Sequence, residues 1–141
     1  MNDDYYMELA LKEAKKAAKK GEIPVGAVLV EDGRVIAKAY NEKDTKKIVS
    51  RHAEMIAIEK ANKKKKDWRL NNCEIYVTLE PCKMCKGAIE QSRIKRIIYC
   101  TNTQFRAKSQ LEVKKSNNSD IEEEYNRLLE NFFKTIRDKE D

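Results

Sequence analysis

The sequence predicts an α/β domain of three layers, with a sheet held between helices. Two patterns carry this. Apolar residues recur at helical spacing in some segments and gather into short buried runs in others. The two kinds of segment also alternate along the chain. The length agrees: 141 residues suit one compact domain, taken as 1–141, and are few for two.

Met7, Ala10, Leu11, Ala14, Ala17 and Ala18 form one apolar stripe with lysines opposite, so the first segment is a helix. Asn2 to Asp4 offer cap and dipole partners at its start, and Gly21 is a natural stop. Pro24 to Val30 is a buried strand, Asp32-Gly33 a hairpin turn, and Arg34 to Tyr40 the returning strand. Residues 42–50 are polar and expected to be loop. From His52 to about Lys63 runs a helix with apolar residues around most of its girth, hence largely buried. The run Lys63 to Lys66 ends it, either as a solvated helix end or as a binding patch.

Cys73 to Leu79 is a third strand, Glu80-Pro81 a turn, and Cys82 to Ser92 a short helix. Arg96 to Cys100 is a fourth strand. Residues 101–118 are polar, with at most one short strand at Leu111 to Lys114. Ser119-Asp-Ile-Glu122 has the form of a capping box. It opens a last helix with Ile121, Tyr125, Leu128, Leu129, Phe132, Phe133 and Ile136 on one stripe.

Composition narrows the function. Charged residues make up 38% of the chain, against about 25% in a typical domain. The longest run without a charge, Ile97 to Phe105, is far below the roughly 18 apolar residues of a membrane span. Asp3 and Asp4 do not fit the basic start of a secretory leader, so a cytoplasmic protein is expected. Four cysteines are then free thiols or metal ligands. The net charge of +6 serves either solubility or a polyanionic partner.

Two motifs bear chemistry: His52-Ala53-Glu54 and Pro81-Cys82-Lys83-Met84-Cys85. Cys82 and Cys85 lie three apart at a helix start, on one face, where the dipole favours thiolates. One histidine added makes three zinc ligands with a fourth position open, a catalytic count. Cys73 and Cys100 have the right type for a fourth ligand, but their apolar strands suit small core residues better. Glu54 is not a ligand in this reading; it moves protons between the attacking water, the substrate nitrogen and the leaving amine. Neighbours two apart on a helix point roughly 200° from each other. Both therefore face one cavity only if His52 sits at an irregular helix start.

The pattern H-x-E followed by P-C-x-x-C is a signature of zinc-dependent nucleobase deaminases. Beyond it, Pro24-Val-Gly-Ala-Val-Leu-Val30, Thr78-Leu-Glu-Pro-Cys-Lys-Met-Cys85, Gly87-Ala-Ile89, Gln91-Ser-Arg-Ile94 and Phe132-Phe133-Lys134 resemble the bacterial tRNA-specific adenosine deaminases. The resemblance implies a cytidine-deaminase-like fold, a five-stranded mixed sheet of order 2-1-3-4-5 between helices. It implies a homodimer with one Zn2+ per subunit, converting the wobble adenosine of a tRNA anticodon stem-loop to inosine. His52, Cys82 and Cys85 then hold the metal and Glu54 is catalytic. Asn41, Ala53 and Pro81 contact the base, with Asn41 otherwise an ordinary strand-end turn residue. The Cys82 N–H helps to hold the base, and Phe133 or Lys134 reaches RNA.

The likeness is strong over residues 5–100 and poor between 101 and 118. There the family places an acidic residue, a glycine- and serine-containing loop and a helix; here Thr103 stands near the acidic position and the helix is missing. A parallel crossover normally needs a dozen or so residues. The fifth strand is therefore expected to be short, shifted or differently paired, and selection against other single-stranded substrates, DNA included, to be relaxed. Two other readings stay open: a deaminase of free guanine, cytosine or a nucleotide, and a non-catalytic module that keeps zinc for structure.

Overall fold

The computed structural model describes residues 3–102 and 112–140, the last three as backbone only. The elements in order are α1 (Asp3–Lys19), β1 (Gly26–Glu31), β2 (Arg34–Tyr40), α2 (Lys43–Lys46), α3 (Ala53–Lys65), β3 (Cys73–Leu79), α4 (Lys83–Gln91), β4 (Arg96–Thr101), β5 (Glu112–Lys115) and α5 (Ser119–Glu140). The sheet runs β2-β1-β3-β4-β5. β1 is antiparallel to β2 and β3, whereas β3, β4 and β5 are parallel. Order and mixed character are those the sequence led us to expect.

Both sheet faces are covered, which is why the central strands β1, β3 and β4 read as near-continuous apolar runs. On one face Ala27, Leu29, Ile75, Val77, Ile97 and Tyr99 pack with Ile56, Ala57 and Ala61 of α3 and Ile89 of α4. On the other, Val28, Val30, Tyr76, Ile98 and Cys100 pack with α1 and with Ile121 and Tyr125 of α5. The hairpin turns on Asp32 (φ 48°) and Gly33 (φ 82°), both left-handed as a primed two-residue turn requires. At Gly26 a Cβ would lie 2.0 Å from the Ala10 carbonyl oxygen and 2.6 Å from the Ala14 nitrogen, so α1 crosses the start of β1 at backbone contact.

Several local expectations shift. The polar stretch 42–50 contains the short helix α2, because the buried Glu22 carboxylate accepts the backbone N–H groups of Asp44 (3.1 Å) and Thr45. The last helix is capped one residue earlier than the S-x-x-E pattern suggests: Asn118 Oδ1 accepts the Ile121 N–H at 3.1 Å. Burial on α5 fades beyond Leu129, leaving Phe133 and Ile136 exposed, so only the first half of its stripe is core. Asp3 reaches across to the sheet, accepting from Tyr76 Oη (2.8 Å) and Arg96 Nη2 (3.0 Å). The fifth strand is short, four residues, and pairs parallel to β4 with Ile97 opposite Val113. Thr103 and Leu111, and with them the expected departure from the family pattern, lie outside the described residues.

Candidate active site

Two chain segments converge at the carboxyl end of β3. The loop after β2 delivers His52, which stands at the cap position of α3 with extended backbone (φ −75°, ψ 152°). The turn after β3 delivers Cys82 to the same position on α4 (φ −71°, ψ 172°), and Cys85 follows inside the first turn. Because His52 precedes the helix proper, its side chain is free of the helical spacing that would turn it away from Glu54. Both residues line one cleft, together with Ile23, Val25, Asn41, Lys43, Ala53, Leu79, Glu80 and Cys82. The cleft has a cavity volume of about 160 Å³.

His52 Nδ1 lies 3.4 Å from Cys85 Sγ and 3.8 Å from Cys82 Sγ. A tetrahedral zinc bound at about 2.3 Å to sulfur and about 2.0 Å to nitrogen separates such ligands by about 3.5 Å. All three donor atoms lie within 4.8 Å of one another. The donor set therefore fits a zinc ion at its bonding distances. Neither His52 nor Cys82 makes a side-chain cap bond to its helix, so each keeps its donor atom for the centre. Burial pushes the Cys85 thiol well above its ordinary value, and the nearby Glu54 charge adds to this. Burial, and then the Lys43 charge, lower His52 and so favour the neutral imidazole.

Glu54 is 4% exposed. Burial raises its carboxyl to about 7, countered in part by its own backbone N–H and by Cys85. A carboxyl in that range exchanges protons readily at neutral pH. Asn41 is buried at the end of β2, where Nδ2 donates to the Ile23 carbonyl (3.3 Å) and Oδ1 accepts from the Lys43 N–H (3.2 Å). Two of its amide's four hydrogen-bonding positions brace the turn, as an ordinary strand-end residue does.

Of the other residues the sequence singled out, Ala53 lines the cleft and Pro81 is buried just ahead of Cys82. Phe133 and Lys134 lie on the exposed part of α5, away from the lining. Cys73 and Cys100 are buried core residues in the clusters on opposite faces, and neither joins the donor group among the described residues. Sequence reasoning missed Lys43 and the apolar walls Ile23, Val25 and Leu79. Their only signal was the position of Ile23 and Val25 on either side of Pro24.

The model of the MafB19-like deaminases matches residues 1–137. The tRNA-specific adenosine deaminase of Bacillus subtilis (strain 168) is 41% identical over 97% of this chain and 92% of that protein. The chain belongs to the deaminase family. The tRNA-specific adenosine deaminase of Aquifex aeolicus (strain VF5) resembles this deaminase at 46% identity over 70% of the chain and 66% of that protein. Among solved structures, one from a study of A-to-I editing by tRNA:A34 deaminases superposes with a TM-score of 0.74. It shares 37% identity and covers 80% of this deaminase and 98% of that chain. A guanine deaminase from Bacillus subtilis gives 0.70 at 37% identity, over 72% and 66% of the two chains.

Proposed function

We propose that this deaminase, its residues 1–141 forming one catalytic domain, converts adenosine to inosine at the wobble position of a tRNA anticodon. The observation that carries the chemistry is the meeting of His52, Cys82 and Cys85 at metal-bonding distances beside the buried Glu54, in one cleft. The relatives named for tRNA adenosine deamination supply the substrate. His52 Nδ1 and the Cys82 and Cys85 sulfurs hold zinc, one ion per subunit. When bound, the ion lowers the pKa of a water and polarises the reacting centre.

The chain's own groups do the rest. Glu54 takes a proton from the attacking water and delivers it to N1 of the adenine, then hands one to the departing amine. The balance is adenosine plus water giving inosine plus ammonia. The free Nδ2 hydrogen and Oδ1 lone pair of Asn41 hold the extruded base by its polar edge, while Ile23, Val25 and Leu79 line the apolar sides and Ala53, Pro81 and the Cys82 N–H bound the floor. Lys43 stands ready for a phosphate, and Phe133 or Lys134 meets RNA beyond the cleft. No described helix is long and apolar enough to cross a membrane, which accords with a cytoplasmic place of work. Ile48, Val49 and Met84 are exposed apolar side chains, the kind of surface that the second copy of a homodimer covers.

The likeness to a guanine deaminase favours a second reading, action on free purine. Incubation with total tRNA followed by inosine mapping, beside free guanine, cytidine and a deoxy anticodon stem-loop, separates the two. Inosine confined to the wobble position is expected. Release of ammonia from guanine with none from tRNA overturns the proposal. In Glu54→Ala, loss of about 10²–10⁴-fold in rate is expected with zinc still bound; an unchanged rate would refute the proton-transfer role.

A further inference from the structure

At the far end of α3 from the cleft, a second surface is built for a ligand. α3 has 13 residues, so its carboxyl end lies about 20 Å from His52. There Trp68, the chain's one tryptophan, is 51% exposed. The Arg69 guanidinium carbon lies 4.9 Å and that of Arg93 5.4 Å from its ring centroid.

The turn that presents Trp68 is braced. Asn62 Nδ2 donates to the carbonyls of both Asp67 and Trp68 at 3.1 Å, the Arg69 N–H donates to Asp67 Oδ1 at 3.0 Å, and the Leu70 N–H donates to the Ser92 carbonyl at 2.7 Å. That last bond seats the end of α4 beside the ring. Two positions there adopt left-handed backbone, Lys66 (φ 57°) and Arg93 (φ 66°). Glycine takes this conformation more easily where a helix ends, yet a cation stands at each. Cations suit a helix carboxyl end, but that does not account for an indole that stays half exposed with two guanidinium groups within 5.4 Å of its ring centroid on a braced turn. Among the described residues no carboxylate pairs with Lys64, Lys66 or Arg93; Arg69 pairs with Asp67 at 3.3 Å.

We infer that Trp68, with Arg69, Arg93 and Lys66, is an auxiliary RNA-binding platform on which an unpaired base stacks while the cations hold its flanking phosphates. An aromatic face accepts any base, and arginine and lysine supply the phosphate contacts, so the platform is tolerant of sequence. It engages RNA remote from the reacting nucleotide, and in that respect rests on the tRNA reading proposed above.

The single tryptophan makes the test direct. Wild-type zinc protein is titrated with a full-length tRNA transcript bearing a wobble adenosine, following Trp68 emission and its quenching by acrylamide. Binding is expected to quench the emission and shield the ring. Replacement by Trp68→Ala is expected to weaken binding of labelled transcript roughly 5- to 150-fold, raising KM and leaving kcat at saturation unchanged. Trp68→Phe, which keeps a stacking ring and guards against a folding defect, is expected to recover much of the loss. If the transcript is deaminated at saturation while Trp68 stays as open to acrylamide as before, the platform is refuted and the function stands. If Trp68 is shielded but no inosine forms, the platform stands and the function falls. Shielding that rises with protein concentration in the absence of RNA also overturns the inference, marking a protein contact instead.

Discussion

Gly26 shows how much one missing side chain decides. With no Cβ it lets the Ala10 carbonyl and the Ala14 amide of α1 approach the first residue of β1, and its own N–H donates to Thr78 Oγ1 at 3.1 Å. A methyl there meets backbone on two sides, which cannot swing aside as a side chain would. Gly26→Ala is expected to destabilise the fold by about 1–3 kcal/mol or more through displacement of α1, read as a lower midpoint in urea denaturation. Residues of this kind were half legible beforehand. Pro24-Val-Gly-Ala marked a strand, but nothing in it told that the glycine served a helix crossing. The meeting of His52, Cys82 and Cys85 beside Glu54 was legible, because the zinc-ligand pattern restricts both residue type and spacing. Lys43 was not, since a lysine in a polar stretch has no distinguishing neighbourhood until the chain is folded.

At the scale of elements, strands and long helices followed from periodicity, and the misjudged pieces were those set by distant side chains. α2 is the clearest case. Four residues of sequence Lys-Asp-Thr-Lys carry no apolar face, and the helix exists because Glu22, 1% exposed, accepts N–H groups at its first turn. That turn carries Lys43 and, through the Lys43 N–H, steadies Asn41 at the wall of the cleft. Glu22→Ala is expected to cost about 1 kcal/mol, in the manner of a lost helix cap. It is also expected to raise KM several-fold with kcat nearly kept, since in the proposed binding mode the groups it positions meet substrate away from the reacting atoms. Glu22→Gln retains an acceptor oxygen and is expected to recover most of the loss; steady-state kinetics on the three proteins decide it. On α5 the error ran the other way, where a clean stripe promised core along its whole length. A stripe shows which side of a helix is apolar and says nothing of how far the neighbouring layer extends beneath it.

Across the whole molecule, layers and strand order were recoverable from alternation of elements and from family resemblance, while the ties between layers were not. The longest-range tie joins Asp3 at the start of α1 to Tyr76, Arg96 and Lys114 of three adjacent strands, with Glu74 and Glu112 completing the set around Arg96. Burial works to raise the Asp3 carboxyl, but the Tyr76 hydroxyl, Arg96 and Lys114 together outweigh it and hold it below the usual 3.8. The folded protein thus binds this proton less tightly than the unfolded chain does. The stabilisation is full above the ordinary value and is lost as pH falls through the lower, folded one. Thermal melts of Asp3→Asn are expected to show lower stability at pH 7 than wild type and a shallower decline below pH 4.

The two helix starts beside the cleft forgo a stabilisation that other residues would supply. Serine, threonine, aspartate or asparagine at a cap typically stabilises a helix by about 1 kcal/mol relative to a residue that makes no cap bond. His52 and Cys82 occupy those positions and make no such bond. His52→Asn or Cys82→Ser is thus expected to firm its helix start while giving up a donor atom of the group.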